Sequence, residues 1–235
     1  MSRSEPELVA CPECGHKQTV PIWYSVDVTT NPELKYDVLH GRLNVYECNK
    51  CGNTCFLDVP LLYHDVLQHL MVWVTDEEGS ESPELIPVDI PASELTRLGY
   101  RLRIVHSYAD LMEKVLIFQD GFDDTTLEVA KAILHARLAL NAEPASIQIM
   151  YGGFNEAAGD AIQLLVQCSD DDPISALDIP LQVMAHFERM VELWNEETDQ
   201  TSDGWDCVDI RKAAEVLTWA IEQYGGFPPM EATPD

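Results

Sequence analysis

The chain has 235 residues, 46% of them hydrophobic, and 41 acidic against 14 basic side chains give it a net charge of −27. That length accommodates one large domain or two small ones with a real apolar core. The acidity is uneven, 9 Lys/Arg against 18 Asp/Glu in residues 1–117 and 5 against 23 in residues 118–235, and so few cations disfavour phosphate backbones, so no nucleic-acid ligand is expected.

The first residues lack the apolar stretch of a signal peptide, and no run reaches the roughly eighteen apolar residues of a membrane span. A soluble cytoplasmic protein that binds no membrane is therefore expected. Seven cysteines are an odd count, and four of them are paired at close spacing, which argues against a secreted disulfide framework.

The first element is a knuckle, Cys11-Pro12-Glu13-Cys14-Gly15-His16. Residues 18–28 then alternate apolar and polar side chains as a strand does. Asn31-Pro32 opens a short helix, with Asn31 as its cap, and Gly41 closes it. Residues 43–47 lead extended into a second knuckle, Cys48-Asn49-Lys50-Cys51-Gly52-Asn53, and residues 54–59 lead out of it.

A Cys-x-x-Cys-Gly turn aims both sulfurs at one point, and its glycine admits backbone amides to the thiolates. Two such turns face to face supply a tetrahedral four-sulfur site. Thirty-three residues separate Cys14 from Cys48, and closing that loop costs roughly 3 kcal/mol. Structural zinc returns on the order of 10–16 kcal/mol in small peptides, so the metal decides the balance. Cys11, Cys14, Cys48 and Cys51 are the predicted ligands of one zinc ion, held in a closed site without a catalytic water. The same four thiolates would hold iron, as in the electron carrier rubredoxin, and colour separates the two metals. Cys55, four residues past Cys51, is read as a strand residue packed beneath the knuckle rather than as a ligand.

Leu61-Leu62-Tyr63-His64-Asp65 sets a histidine beside an acid, a pair able to serve acid-base chemistry, although a structural role is favoured because no nucleophile or phosphate loop accompanies it. Residues 69–74 are an apolar strand, and residues 75–93, rich in Asp, Glu, Gly, Ser and Pro, read as a linker. Residues 101–105 resume the strand alternation, and Ser107 with Asp110 forms a capping box for a helix with Leu111, Met112, Val115 and Leu116 inward. Thr125 with Glu128 is read as a second capping box, making a helical hairpin around Gly121.

Residues 147–151 and 161–168 form a predicted strand pair. Asp170-Asp171-Asp172 reads as a solvated loop, and residues 178–180 as the cap of a third helix with Val183, Met184, Phe187, Met190, Val191 and Trp194 on one side. The last predicted helix turns Ile210, Ala213, Ala214, Leu217, Ile221 and Tyr224 inward and stops at Gly225-Gly226, before a tail expected to be disordered. His40, His106, His135 and His186 fall in separate elements, Cys168 ends a strand, and Cys207 stands near a helix start that could lower its pKa.

At five stretches the chain resembles the CpXC family of prokaryotic proteins: Cys11 through His16, Asn31-Pro32-Glu33-Leu34-Lys35, Gly41-Arg42-Leu43-Asn44, Cys48 through Gly52, and Pro60-Leu61-Leu62-Tyr63-His64-Asp65. Arg101 to Val105, Leu111-Met112-Glu113-Lys114-Val115 and Asp120-Gly121-Phe122-Asp123-Asp124 are similar too. The resemblance covers about the first 130 residues. It implies the metal site and no activity, because the family has no established one to carry over. The second knuckle lacks the proline of the first, which removes no ligand.

The expected fold is α+β: a β-rich zinc-ribbon module over residues 8–75 with a short inserted helix, a linker over 76–93, a small α/β half over 94–227 containing a helical hairpin, a strand pair and two further helices, and a tail over 228–235. No catalytic residue is assigned. The expected role is a non-enzymatic zinc-ribbon protein whose acidic surface takes a basic protein partner or supports a homo-oligomer; an enzyme using His64 and Asp65, hydrolase-like, and an iron electron carrier are the rivals.

Overall fold

The computed structural model describes residues 2–75, 90–198 and 204–229. Most of the expected linker, part of the acidic loop after residue 198 and the tail beyond residue 229 lie outside the described residues. The fold is mixed α+β, and the chain separates into two compact units, the first running to Met112 and taking in the later segment that ends at Asp206, the second beginning at Glu113 and resuming at Cys207.

The first unit is a five-stranded sheet in the order β1-β2-β5-β6-β7, built from β1 (Arg3–Ala10), β2 (Lys17–Asp27), β5 (Leu61–Asp65), β6 (Leu70–Val74) and β7 (Arg101–Val105). β1/β2 and β5/β6 are antiparallel hairpins, whereas β2/β5 and β6/β7 are parallel. A parallel step needs a crossover. Between β2 and β5 it is made by α1 (Glu33–Leu39) with the small hairpin of β3 (Val45–Glu47) and β4 (Thr54–Phe56), and between β6 and β7 the chain includes α2 (Ala92–Arg97). Central β5 and β6 read as near-continuous apolar runs because both of their faces are covered; Leu61, Tyr63, Met71 and Val72 are fully enclosed.

Two elements here escape the sequence pattern. β1 is an edge strand with Pro6 at its centre and mostly exposed side chains, so its alternation is weak. α2, six residues long, hangs on one buried residue, Leu95. Asn31 is not the cap of α1: its side chain bonds the Glu33 carboxylate while its carbonyl accepts the Leu34 N–H, and Pro32 takes the cap position.

The second unit takes α3 (Tyr108–Gln119) from Glu113 onward, α4 (Asp124–Leu138), the antiparallel sheet β10-β9-β8 (Ser175–Pro180, Ala161–Gln167, Gln148–Asn155), α5 (Leu181–Thr198) and α6 (Ile210–Tyr224). Ile117, Leu127, Ile162, Leu164, Met190, Trp194, Val216 and Trp219 are central to its core. The expected strand pair is β8 with β9, and the sheet gains a third strand, β10, where a helix cap was expected. Five of the six side chains of β10 are exposed, so it carries no alternation to read.

α6 is rotated from the expected orientation. Ala213, Val216, Trp219 and Ala220 are buried, while Ile210 and Ile221 are 49% and 62% exposed. Both stripes have helical spacing, and the one carrying the indole removes more apolar area from water. α4 is capped by Asp123, whose carboxylate accepts the Thr126 N–H; the expected Thr125 and Glu128 box does not form. The Ser107 and Asp110 box does.

Candidate metal centre

Each knuckle is the turn of a β-hairpin. Residues 11–16 join β1 to β2, and residues 48–53 join β3 to β4. The two turns repeat one hydrogen-bond pattern. Cys11 N–H donates to the His16 carbonyl at 2.8 Å and Gly15 N–H to the Cys11 carbonyl at 2.9 Å; Cys48 donates to Asn53 and Gly52 to Cys48, both at 2.8 Å. Gly15 and Gly52 have φ of +68° and +73°, a left-handed conformation that glycine adopts without steric cost.

Side chains of the first hairpin hold the second in place. Gln18 on β2 donates from Nε2 to the Glu47 carbonyl at 2.8 Å and accepts the Asn49 N–H at 2.9 Å. Asn44, 5% exposed, accepts the Trp23 N–H and donates to the Trp23 carbonyl, so the strand entering the second knuckle is tied to β2. Sequence reasoning missed both residues, since a side chain bonding distant backbone leaves no local pattern.

The result is a compact set of sulfurs. The Sγ atoms of Cys11, Cys14, Cys48 and Cys51 all lie within 4.8 Å of one another, with Cys11 to Cys51 at 3.6 Å and Cys14 to Cys48 at 3.7 Å. A tetrahedral ion with metal–sulfur bonds of about 2.3 Å requires sulfur–sulfur edges of about 3.8 Å. Disulfide bonds at about 2.05 Å are far shorter. The donor set therefore fits one thiophilic ion, and the site could hold a metal.

Charge agrees with geometry. Burial alone would raise the Cys48 thiol, but the Cys51 and Lys50 amides and the Tyr46 hydroxyl outweigh it and bring its pKa down to about 6. Cys11 is lowered first by the Cys14 N–H. The Asn53 N–H favours the Cys51 thiolate, yet the neighbouring sulfurs of Cys14, Cys48 and Cys11, with burial, push that thiol up to about 12. Four thiols this close cannot all ionise unless a cation neutralises them.

Cys55 pairs with Tyr46 across β3/β4 and packs on the cysteine cluster without belonging to the four-sulfur set. Tyr46, two residues before Cys48 and completely enclosed, is a further participant that the sequence reading did not single out.

His64 and Asp65 are not brought together. Successive residues of β5 point to opposite faces. Asp65 Oδ2 accepts from Lys35 Nζ at 3.0 Å and Tyr63 Oη at 3.4 Å, and Asp65 Oδ1 accepts the Leu67 and Gln68 amides of the following turn. His64 Nε2 lies 3.2 Å from the Tyr100 hydroxyl and Nδ1 lies 4.0 Å from Asp27 Oδ2. Burial lowers its pKa despite Asp27, so the imidazole is neutral at pH 7. Four of the other histidines bond nearby carbonyls: His40 that of Tyr36, His106 that of Thr75, His135 that of Pro144 and His186 that of Gln182. Cys207 differs from expectation, since burial and Asp209 raise its pKa against Arg211.

A family model described as CpXC protein matches residues 9–131, a little over half of the chain and both knuckles with it. No curated protein and no solved structure matches the chain.

Proposed function

The chain belongs to the CpXC family, and from that premise we propose that Cys11, Cys14, Cys48 and Cys51 bind one structural zinc ion in a non-enzymatic interaction module. The observation that carries this reading is the pair of sulfur–sulfur edges, 3.6 and 3.7 Å, that match a tetrahedral zinc–thiolate site. Four thiolates fill the coordination shell of such an ion and leave no position for water or substrate. The zinc then acts by closing the loop between two hairpins. Iron fits the same sulfurs, and metal analysis of the purified protein tells them apart: one colourless zinc per chain is expected, and a red protein containing iron would overturn the assignment.

The partner side of the proposal rests on charge. A net charge of −27, two thirds of it in the second half of the chain, suits a cytoplasmic protein partner with a basic face. Such binding weakens with salt because exposed charges are screened. Pull-down at low and high salt tests it, and partners retained equally at both would refute the electrostatic reading. The rival reading as an enzyme depended on His64 and Asp65 acting together, and their opposite orientations remove that support. No helix among the described residues is long and apolar enough to cross a membrane.

A further inference from the structure

The edge of a sheet exposes unpaired backbone groups, and soluble proteins guard it with proline, charge, a bulge, short length or a covering segment. β1 has Pro6 at its centre and Arg3, Glu5 and Glu7 along it. β7 is covered by Asp206, whose carbonyl accepts the Ile104 N–H and whose N–H donates to the Leu102 carbonyl. β8 carries a register shift between Tyr151 and Gly153, and its Tyr151 N–H is taken by the Glu113 carboxylate. β3 and β4 are three residues long each.

β10 has none of these guards. It pairs with β9 through all six residues without a register shift, Asp178 is its one charge, and its proline is the last residue. Just past the Pro180 and Ala161 pair, the Leu181 N–H donates to the Asp160 carbonyl. Bonded and non-bonded pairs alternate along an antiparallel ladder. Ser175, Leu177 and Ile179 therefore make the bonds to β9, while the N–H groups of Ala176 and Asp178 point away from the sheet. Pro180, which has no N–H, falls in that outward set. Among the described residues no group bonds to this outer edge.

The two faces of the strand differ. Leu177 and Ile179 stand opposite Leu164 and Ile162 of the core and so face inward, yet Leu177 is 42% exposed at the rim of the sheet. Ala176 and Asp178 lie on the other face, where the Asn155 and Gln163 side-chain amides donate to the Asp178 carboxylate and no cation among the described residues pairs with it. No Lys or Arg occurs between Arg137 and Arg189, a span that holds the whole sheet together with Asp160, Asp170, Asp171 and Asp172.

We propose that the outer edge of β10 docks an extended basic segment of a protein partner, which adds to the sheet as an antiparallel fourth strand. This deepens, and rests on, the reading of a partner with a basic face. Residues of the segment opposite Ala176 and Asp178 exchange backbone hydrogen bonds with them and share the face of the Asp178 carboxylate, so these are its lysines or arginines. The residues between them share the face of Leu177 and are apolar. A second copy of this chain fits less well, because it would set two sheets without a basic side chain against each other.

The test adds a short capped peptide of alternating lysine and valine to the full-length protein at low salt and reads amide exchange by NMR. The Ala176 and Asp178 amides are expected to slow on binding, while those of Leu177 and Ile179, already bonded to β9, change little. N-methylation of the peptide's lysines removes the donors that face β10 and should weaken binding about 10-fold, whereas N-methylation of its valines should not. Ala176→Pro takes one donor from the outer edge alone and should give a similar loss; the methylated peptides need no variant, so the comparison stands even if that protein does not fold. Equal affinity of the two methylated peptides, unaltered exchange at Ala176 and Asp178, or an Ala176 amide already protected in a concentration-dependent dimer overturns β10 as the docking edge. Salt-sensitive peptide binding without protection at these amides would leave the basic-partner reading standing and remove only β10 from it, and a protein that retains neither this peptide nor any basic partner at low salt would remove that reading itself.

Discussion

Lys114 Nζ lies 3.1 Å from Asp124 Oδ2 inside the second unit, with 3% of the lysine side chain and none of the aspartate exposed. The pair belongs to a larger network. Lys114 also reaches Glu128 at 3.4 Å and donates to the Val208 carbonyl at 2.7 Å, while Lys131 bonds Glu128 at 2.9 Å and Glu113 at 3.0 Å. Glu113 in turn accepts the backbone N–H of Tyr151, linking α3 to β8. Burying charges is costly, but removing one member costs more because its partners stay behind unpaired. Lys114→Met would leave three carboxylates facing one ammonium. A loss of about 3–5 kcal/mol is expected from the urea midpoint of that variant; a loss under about 1 kcal/mol would show that water reaches the network.

The same network sets a pH dependence. Burial raises the Glu128 carboxyl above its usual range against the pull of Lys114 and Lys131. Burial would lower Lys131, but the Glu113 and Glu128 carboxylates outweigh it and its pKa is raised. Three acids against two bases favour retention of protons in the fold. Lys131 therefore contributes stability fully present below its unfolded pKa of about 10.4 and lost as pH rises through the higher folded value. For Glu128 the folded state binds its proton more tightly, so stability falls as pH rises from about 4.3 through its folded pKa. Chemical denaturation of the metal-loaded protein should show stability falling as pH rises above about 4.3, and a further drop above about pH 10.4. Glu128→Gln should flatten the acid part of that curve, and an unchanged profile would count against the assignment.

Helix α6 starts at a cap with its own test. Asp209 accepts the Arg211 and Lys212 amides and pairs with Arg211 Nε at 2.9 Å. Burial would raise its carboxyl, yet the Arg211 side chain and the two amides lower it. Its contribution is present above about pH 3.9 and lost as pH falls through the lower folded pKa. Asp209→Ala should cost about 1 kcal/mol at pH 7, and Asp209→Asn less, since the amide oxygen still caps. Thermal melts of the two variants distinguish capping from the ion pair: equal losses would assign the effect to Arg211.

What the sequence revealed depends on the range of the interactions involved. The knuckles, the strand alternation of β2 and the Ser107 box are local patterns, and each corresponds to an observed element. β10 and β1 were not legible because edge strands with exposed side chains carry no burial period. The orientation of α6 was ambiguous because two apolar stripes share one helix, and only the tertiary packing of Trp219 chooses between them. The ion network was hidden more thoroughly: Glu113, Lys114 and Glu128 look like solvent-facing residues of amphipathic helices, yet both helices are covered around these positions. At the candidate metal centre the clustering of the four cysteines was legible, whereas Gln18, Asn44 and Tyr46 act across 21 to 31 residues of chain or through burial and left no trace in spacing.

Cys51 and Cys55 offer the sharpest contrast within the metal centre. Cys51 is exposed but belongs to the sulfur set, whereas Cys55, partly buried, faces Tyr46 across β3/β4 and does not. Exposure and reactivity toward thiol reagents would thus mislead about which of the two belongs to the four-sulfur set. Native mass spectrometry should find one metal ion on the Cys55→Ala variant, as on the wild type, and none or a weakly held one on Cys51→Ser. Chelation of the wild type should also loosen the second hairpin, seen as faster amide exchange over residues 44–57, because without the ion only the side-chain bonds of Gln18 and Asn44 tie that segment to β2. If Cys55→Ala lost the ion while Cys51→Ser kept it, the ligand set would have to be redrawn around the strand residue; if exchange were unaltered by chelation, the hairpins would be held by the Gln18 and Asn44 side chains without the ion.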